Sequence, residues 1–152
     1  MKILLSVIGV FFLAIVIYFF VLGYLSQAKA ANGLVDGKLS ACGNKPNCVS
    51  SEMNKESDHF IEPIKYQGDD NIRLKMLTAI TAMNGEVESD SDEYIAATFT
   101  SGFFRFTDDV EIRIVAAEKT IHLRSASRVG HSDFGVNRKR METLRSLFNS
   151  VE

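Results

Sequence analysis

A chain of 152 residues holds one ordinary domain and a short addition. Hydrophobic residues make up 46% and charged ones 24%, with only two prolines, which excludes a disordered or collagen-like chain. A formal net charge of −2 argues against a general polyanion binder, so no nucleic-acid partner is expected.

Residues 3–25 carry no charge, whereas all 19 acids and 16 of the 17 bases lie beyond them. Twenty-three residues at about 1.5 Å each make roughly 35 Å of helix, enough for a hydrocarbon core of about 30 Å. Residues 1–25 are therefore read as a transmembrane anchor or signal-anchor, longer than the apolar part of a cleaved signal. Ala28-Lys29-Ala30 is the competing reading, a small-residue cleavage site. Leu39-Ser40-Ala41-Cys42 looks like a lipobox but stands 14 residues past the apolar run, too far for lipidation. Lys29, Lys38 and Lys45 lean toward a cytoplasmic body, but a short Met-Lys start running straight into the apolar stretch favours export. The expected location is the inner membrane, with the soluble domain periplasmic or otherwise extracytoplasmic.

Residues 26–58 are rich in Gly, Ser, Asn and Lys and read as a tether with local turns. Within it, Cys42 and Cys48 flank Gly43, Asn44, Pro46 and Asn47, turn formers that fold the segment back. An exported body makes a Cys42–Cys48 disulfide the natural outcome. The spacing is not that of a C-x-x-C redox pair, and a metal site shared with His59 is the weakest reading. No metal or cofactor is expected.

The pattern over 59–152 is that of a globular α+β domain. His59–Tyr66 reads as a short edge strand carrying Pro63. Asn71 caps a helix over about 72–83, with Ile72, Met76, Ile80 and Met83 on one face, and Asn84-Gly85 ends it. Strands are expected from Val87 to Asp90, over Tyr94–Ser101, through Val110, Ile112 and Ile114, and over Thr120–Val129. A helix over about 134–149 closes the order β-α-β-β-β-β-α: an antiparallel sheet of about five strands with two helices on one face.

The terminal helix is the most informative segment. Winding it puts Val136, Leu144, Leu147 and Val151 on one stripe, flanked by Met141 and Phe148, with Arg138, Glu142 and Arg145 opposite. Arg140 lies within the apolar stripe, and Asn137 one turn before it. An unpaired buried guanidinium costs several kcal/mol, so Arg140 needs a carboxylate. Asp108-Asp109 is the best-fitting partner: adjacent strand residues face opposite ways, so one meets Arg140 and the other faces water. On the last strand Ser125 and Ser127 share the apolar face, while His122, Arg124 and Arg128 occupy the other. From Arg124 to Arg145 six bases stand against two acids, whereas Glu86–Glu93 holds five acids and no base. Gly130…Gly135 lacks the Lys-Ser/Thr of a phosphate loop, yet a helix N-terminus beside serines and arginines suits an anion.

Three stretches, 33–51 (G-L-V-D-G-K-L-S-A-C-G-N-K-P-N-C-V-S-S), 104–111 (F-R-F-T-D-D-V-E) and 121–140 (I-H-L-R-S-A-S-R-V-G-H-S-D-F-G-V-N-R-K-R), resemble the domain-of-unknown-function family 1499. The departure is Gly43, where that family usually has proline. The resemblance implies a bacterial envelope or organellar protein behind an export or anchor segment, and no activity. Its matching polar positions are Asp108, Asp109, Arg124, Ser125, Ser127, Arg128, Asn137 and Arg140, the candidate binding residues. Membrane attachment through 3–25 and an envelope protein or an anionic lipid-like ligand are the expected partners. A small hydrolase or transferase built on Ser125/Ser127 and Asp108/Asp109 is the alternative, and a base within reach of a nucleophile would distinguish it.

Overall fold

A computed structural model describes residues 1–68 and 71–150. Helix α1 (Lys2–Gln27) is continuous, and most of its residues are exposed. Its length and composition are sufficient to cross a membrane. A small hairpin follows, β1 (Leu34–Val35) and β2 (Lys38–Leu39), turning on Asp36-Gly37. Both turn residues take positive φ, as a two-residue Asp-Gly hairpin requires.

The main sheet contains β3 (Cys48–Ser50), β4 (Ile64–Lys65), β5 (Glu86–Asp90), β6 (Tyr94–Thr100), β7 (Thr107–Val115) and β8 (Thr120–Ser127). Its order is β3-β8-β7-β6-β5, antiparallel throughout, with β4 also pairing β8. Helices α2 (Ile72–Ala82) and α3 (Val136–Ser150) pack on one face. The α+β architecture is the expected one, with six strands rather than about five. Residues 26–58 are more than a tether: Cys48, Val49 and Ser50 pair with Ala126, Ser125 and Arg124 of β8. The His59–Tyr66 strand shrinks to Ile64–Lys65, and Phe60 makes only an isolated bridge to Ser50.

The core lies between the sheet and the two helices. Val110, Ile112 and Ile114 of β7 and Ile121 and Leu123 of β8 meet Met76, Ala79 and Ile80 of α2 and Met141, Leu144 and Phe148 of α3. The Asn71 side chain accepts from the Leu74 amide, capping α2 as its position suggests. At the other end Asn84 takes the left-handed turn. Gly85 serves a different need, since a Cβ there would stand 2.6 Å from the Phe99 ring and 2.7 Å from Ile80. Val151, placed on the α3 stripe from the sequence, lies outside the described residues.

The buried stripe of α3 is Asn137, Met141, Leu144 and Phe148, whereas Val136 is exposed. The helix is rotated from the purely apolar solution because Asn137 has four hydrogen bonds to make beneath it. Arg138 and Arg145 are not simply solvated either. They donate to the carbonyls of Asp58, Phe60, Glu62 and Pro63, pinning that loop to the helix.

Candidate functional site

Alternation along β7 and β8 sorts the eight candidate residues onto two faces of the sheet. Asp108, Ser125 and Ser127 point toward α3, where Asn137 and Arg140 meet them. Asn137 is fully buried and fully satisfied. Its Oδ1 accepts from Ser125 Oγ and from Arg140, and its Nδ2 donates to Ser127 Oγ and the Asn47 carbonyl, both at 3.0 Å. Its own amide donates to Asp133 Oδ2 at 2.7 Å, closing the first turn of α3. Arg140 donates to Asp108 Oδ2 at 2.8 Å and to Ser125 Oγ at 3.1 Å, with its guanidinium 4.9 Å from the centre of the Phe99 ring. The ion pair retains 12% exposure at Asp108 and 11% at Arg140.

Asp109, Arg124 and Arg128 occupy the opposite face, and that face is covered rather than wet. Arg128 donates to Asp109 at 2.7 and 2.9 Å, and Arg124 to the fully buried Glu111 at 2.6 Å. Arg113 pairs with Glu52, completing a ladder of charges across β7 and β8. The segment after α1 lies over it: the Gly33 amide and the Tyr94 hydroxyl both donate to Glu111 at 2.8 Å. Burial and the Glu111 carboxylate raise the Tyr94 pKa, so the phenol stays a donor. The expectation that Asp109 faces water is therefore wrong: Arg128 and the end of α1 cover it. His122 lies on the same face, its Nδ1 3.2 Å from Ser51 Oγ. Burial lowers its pKa below 6.5, the nearby Arg113 charge adds to this, and Glu52 opposes it.

The last turns of α1 join this face. Ser26 is fully buried; its Oγ donates to the Gly23 carbonyl and accepts from the Thr107 amide at 3.0 Å. Arg128 donates to the Ser26 carbonyl at 3.3 Å, at the negative end of the helix dipole. Gly23 is required by close approach, because a Cβ would fall 1.7 Å from the Phe104 carbonyl oxygen. Above it, Phe19 and Phe20 contact Phe104 with ring centres 5.3 and 5.2 Å apart. Helix α1 thus grows out of the fold rather than hanging from it.

Between this junction and the N-terminus of α3 lies a cleft of about 660 Å³. Phe19 and Leu22 of α1, Phe99, Phe106 and Val136 form apolar walls, while Asp108, Ser127, His131, Asp133 and Arg140 are among the polar residues of its lining. The volume is that of a small-molecule site. Cys42 and Cys48 form a disulfide with Cα atoms 5.6 Å apart. It braces the turn that delivers Asn47 to Asn137.

Against this geometry, a model of a family described as proteins of unknown function, DUF1499, matches residues 38–148. The chain belongs to this family. No curated protein matches it. The DUF1499 region begins at β2 and ends within α3, so it contains the polar hub, the ion-pair ladder and the disulfide. Helix α1 precedes it, which puts the aromatic wall of the cleft partly outside the DUF1499 match.

Ser125 is not set up as a nucleophile. Ser125 is fully buried, and its oxygen contacts Asn137 and Arg140, neither of which is a general base. Asn47, Glu52, Glu111 and Ser26 also belong to the arrangement; the sequence marks Asn47 as a turn former and gives the other three no role. A lone acid on the non-core face of a strand gives no hint that a distant segment will cover it.

Proposed function

We propose that this DUF1499 chain is a membrane-anchored, extracytoplasmic accessory domain that holds a lipid-like amphiphile in the cleft at the foot of its anchor, without turnover. The observation that carries the reading is the composition of the cleft. One wall comes from the apolar helix itself, through Phe19 and Leu22, while the polar part includes the Asp108–Arg140 pair, Ser127, His131 and Asp133. A hydrocarbon core of about 30 Å takes up roughly 20 helical residues, so a span starting just after Lys2 reaches its far boundary near Leu22. The cleft then opens at the level where acyl chains give way to headgroups. The extracytoplasmic side is supported by the Cys42–Cys48 disulfide, a bond of oxidising compartments.

The charge of the lining refines the expected ligand. Arg140 is already neutralised by Asp108, and Asp133 adds a second carboxylate, so the cleft offers no unpaired guanidinium to a phosphate. A neutral or zwitterionic head that exchanges hydrogen bonds with Ser127 and the outer edges of the ion pair fits better than a strongly anionic one. Native mass spectrometry of the full chain, released from a mild detergent, tests this. A retained amphiphile of defined mass is expected, and it should be lost in Val136→Trp, which narrows the cleft from its exposed rim. An adduct that survives unchanged in that variant, or no adduct in the parent chain, refutes the reading.

A further inference from the structure

We infer that the domain is seated on the bilayer by two aromatic wedges besides its anchor: Phe103, on the loop between β6 and β7, and Phe134, on the loop before α3. The strands run between two poles of opposite character. At one pole lie the Ser101–Phe106 loop, the end of β8 at Ser127 and the loop through Phe134. Asp108 pairs with Ser127 there, and Thr100 with Thr107. At the other pole lie the Asp90-Ser91-Asp92-Glu93 turn and the single helical turn over Ala116–Glu118, where Tyr94 pairs with Arg113 and Val115 with Thr120. Acids gather at the second pole and phenylalanines at the first.

The first pole is also where α1 attaches. Phe103 is 70% exposed, yet its ring is 4.7 Å from Phe104 and 5.6 Å from Phe20 of α1, measured between centres. Phe20 belongs to the outer turns of the apolar helix, so a membrane around α1 reaches Phe103 at the same depth. Phe134 is 96% exposed, with φ +54°, a conformation that a bulky aromatic residue rarely adopts. It lines the same cleft as Phe19, from the side of α3. An aromatic side chain held out in this way, beside a membrane helix, gains its burial from the acyl–headgroup boundary. Basic groups stand at the same pole to meet phosphates: Lys29 and Lys45 there donate to the carbonyls of Arg128 and Gly130, and Arg105 occupies the loop beside Phe104. The partner is therefore a lipid surface.

The chain contains no tryptophan, so single replacements report their own depth. The full chain is reconstituted in phosphatidylcholine–phosphatidylglycerol vesicles whose acyl chains are brominated close to the headgroup. Leu13→Trp, at mid-span in α1 and roughly 15 Å from either boundary, lies below the bromines and reports by blue-shifted emission that the helix is inserted. Ala117→Trp, at the far end of β7, is the control; nine residues of strand at about 3.3 Å put it roughly 30 Å away. Phe103→Trp and Phe134→Trp should each lose most of their fluorescence and emit to the blue of Ala117→Trp. Either wedge position quenched no more than Ala117→Trp overturns the two-wedge seating, and a Leu13→Trp that emits as far to the red as Ala117→Trp overturns it together with the span.

Discussion

Replacing Arg140 by alanine removes the cation that pairs with Asp108 on the α3 side of the sheet. Three hydrogen bonds disappear, to Asp108, Ser125 and Asn137, together with the guanidinium contact to Phe99. Breaking a buried pair by deleting one partner costs about 3–5 kcal/mol, most of it from the stranded charge. Asp108 keeps about a tenth of its side-chain surface, so water relieves part of that penalty and the low end, about 3 kcal/mol, applies. Urea unfolding of the full chain in detergent micelles, followed by circular dichroism, reads the change. With a slope of about 2 kcal/mol per molar, the midpoint should fall by roughly 1.5 M. Arg140→Met combined with Asp108→Asn should return to within about 1 kcal/mol of the parent, since neither charge of this pair is then left stranded. A loss below about 1 kcal/mol in Arg140→Ala, or a double variant no better than the single one, refutes the structural account of the pair.

The helix junction predicts that Gly23→Val, whose Cβ would meet the Phe104 carbonyl, undocks the end of α1; trypsin should then cut after Lys29 faster than in the parent chain, and an unchanged rate refutes the docking. Cys42 and Cys48 should resist alkylation until reduced, and losing so short a ring should cost about 2 kcal/mol in urea unfolding. His122 titrates lower when folded than when unfolded, so its contribution to stability is complete above pH 6.5 and falls as the pH drops through its folded value. His122→Asn should flatten that part of the stability–pH curve, measured by urea midpoints, and an identical slope in the variant assigns the dependence to other groups.

Elements with a strong local period were legible. Strands β7 and β8 alternate plainly, and α2 carries both its cap and its apolar face in the sequence. The Asp108–Arg140 pair was legible too, because winding a helix shows which charge has no route to water. What failed depended on distant partners. Strand β3 is three residues long and has no alternation of its own; β8 makes it a strand. Gly23 and Ser26 look like ordinary members of an apolar run, and only the Phe104–Thr107 backbone shows why a small residue and a hydroxyl stand there. The rotation of α3 went unseen because apolarity alone ranks Val136 above Asn137, whereas four satisfied hydrogen bonds reverse that order. Asp109 was sent to solvent because nothing in the local pattern announces that Arg128 and the end of α1 will cover it.

The charge ladder on the covered face also acts as a check on how the hairpin of β7 and β8 assembles. Side chains alternate along a strand, so a slip of one residue exchanges its two faces. In the native pairing Glu111 stands opposite Arg124 and Ile112 opposite Leu123. A β7 slipped by one would drive Asp109, Glu111 and Arg113 beneath α2 and α3, against Ile80 and Met141, and lift Val110 and Ile112 into the charged layer. Apolar strands alone tolerate a misaligned zip at modest cost. Here each wrong tooth inserts a bare ion into hydrocarbon, so a misaligned hairpin is far less stable than the native pairing.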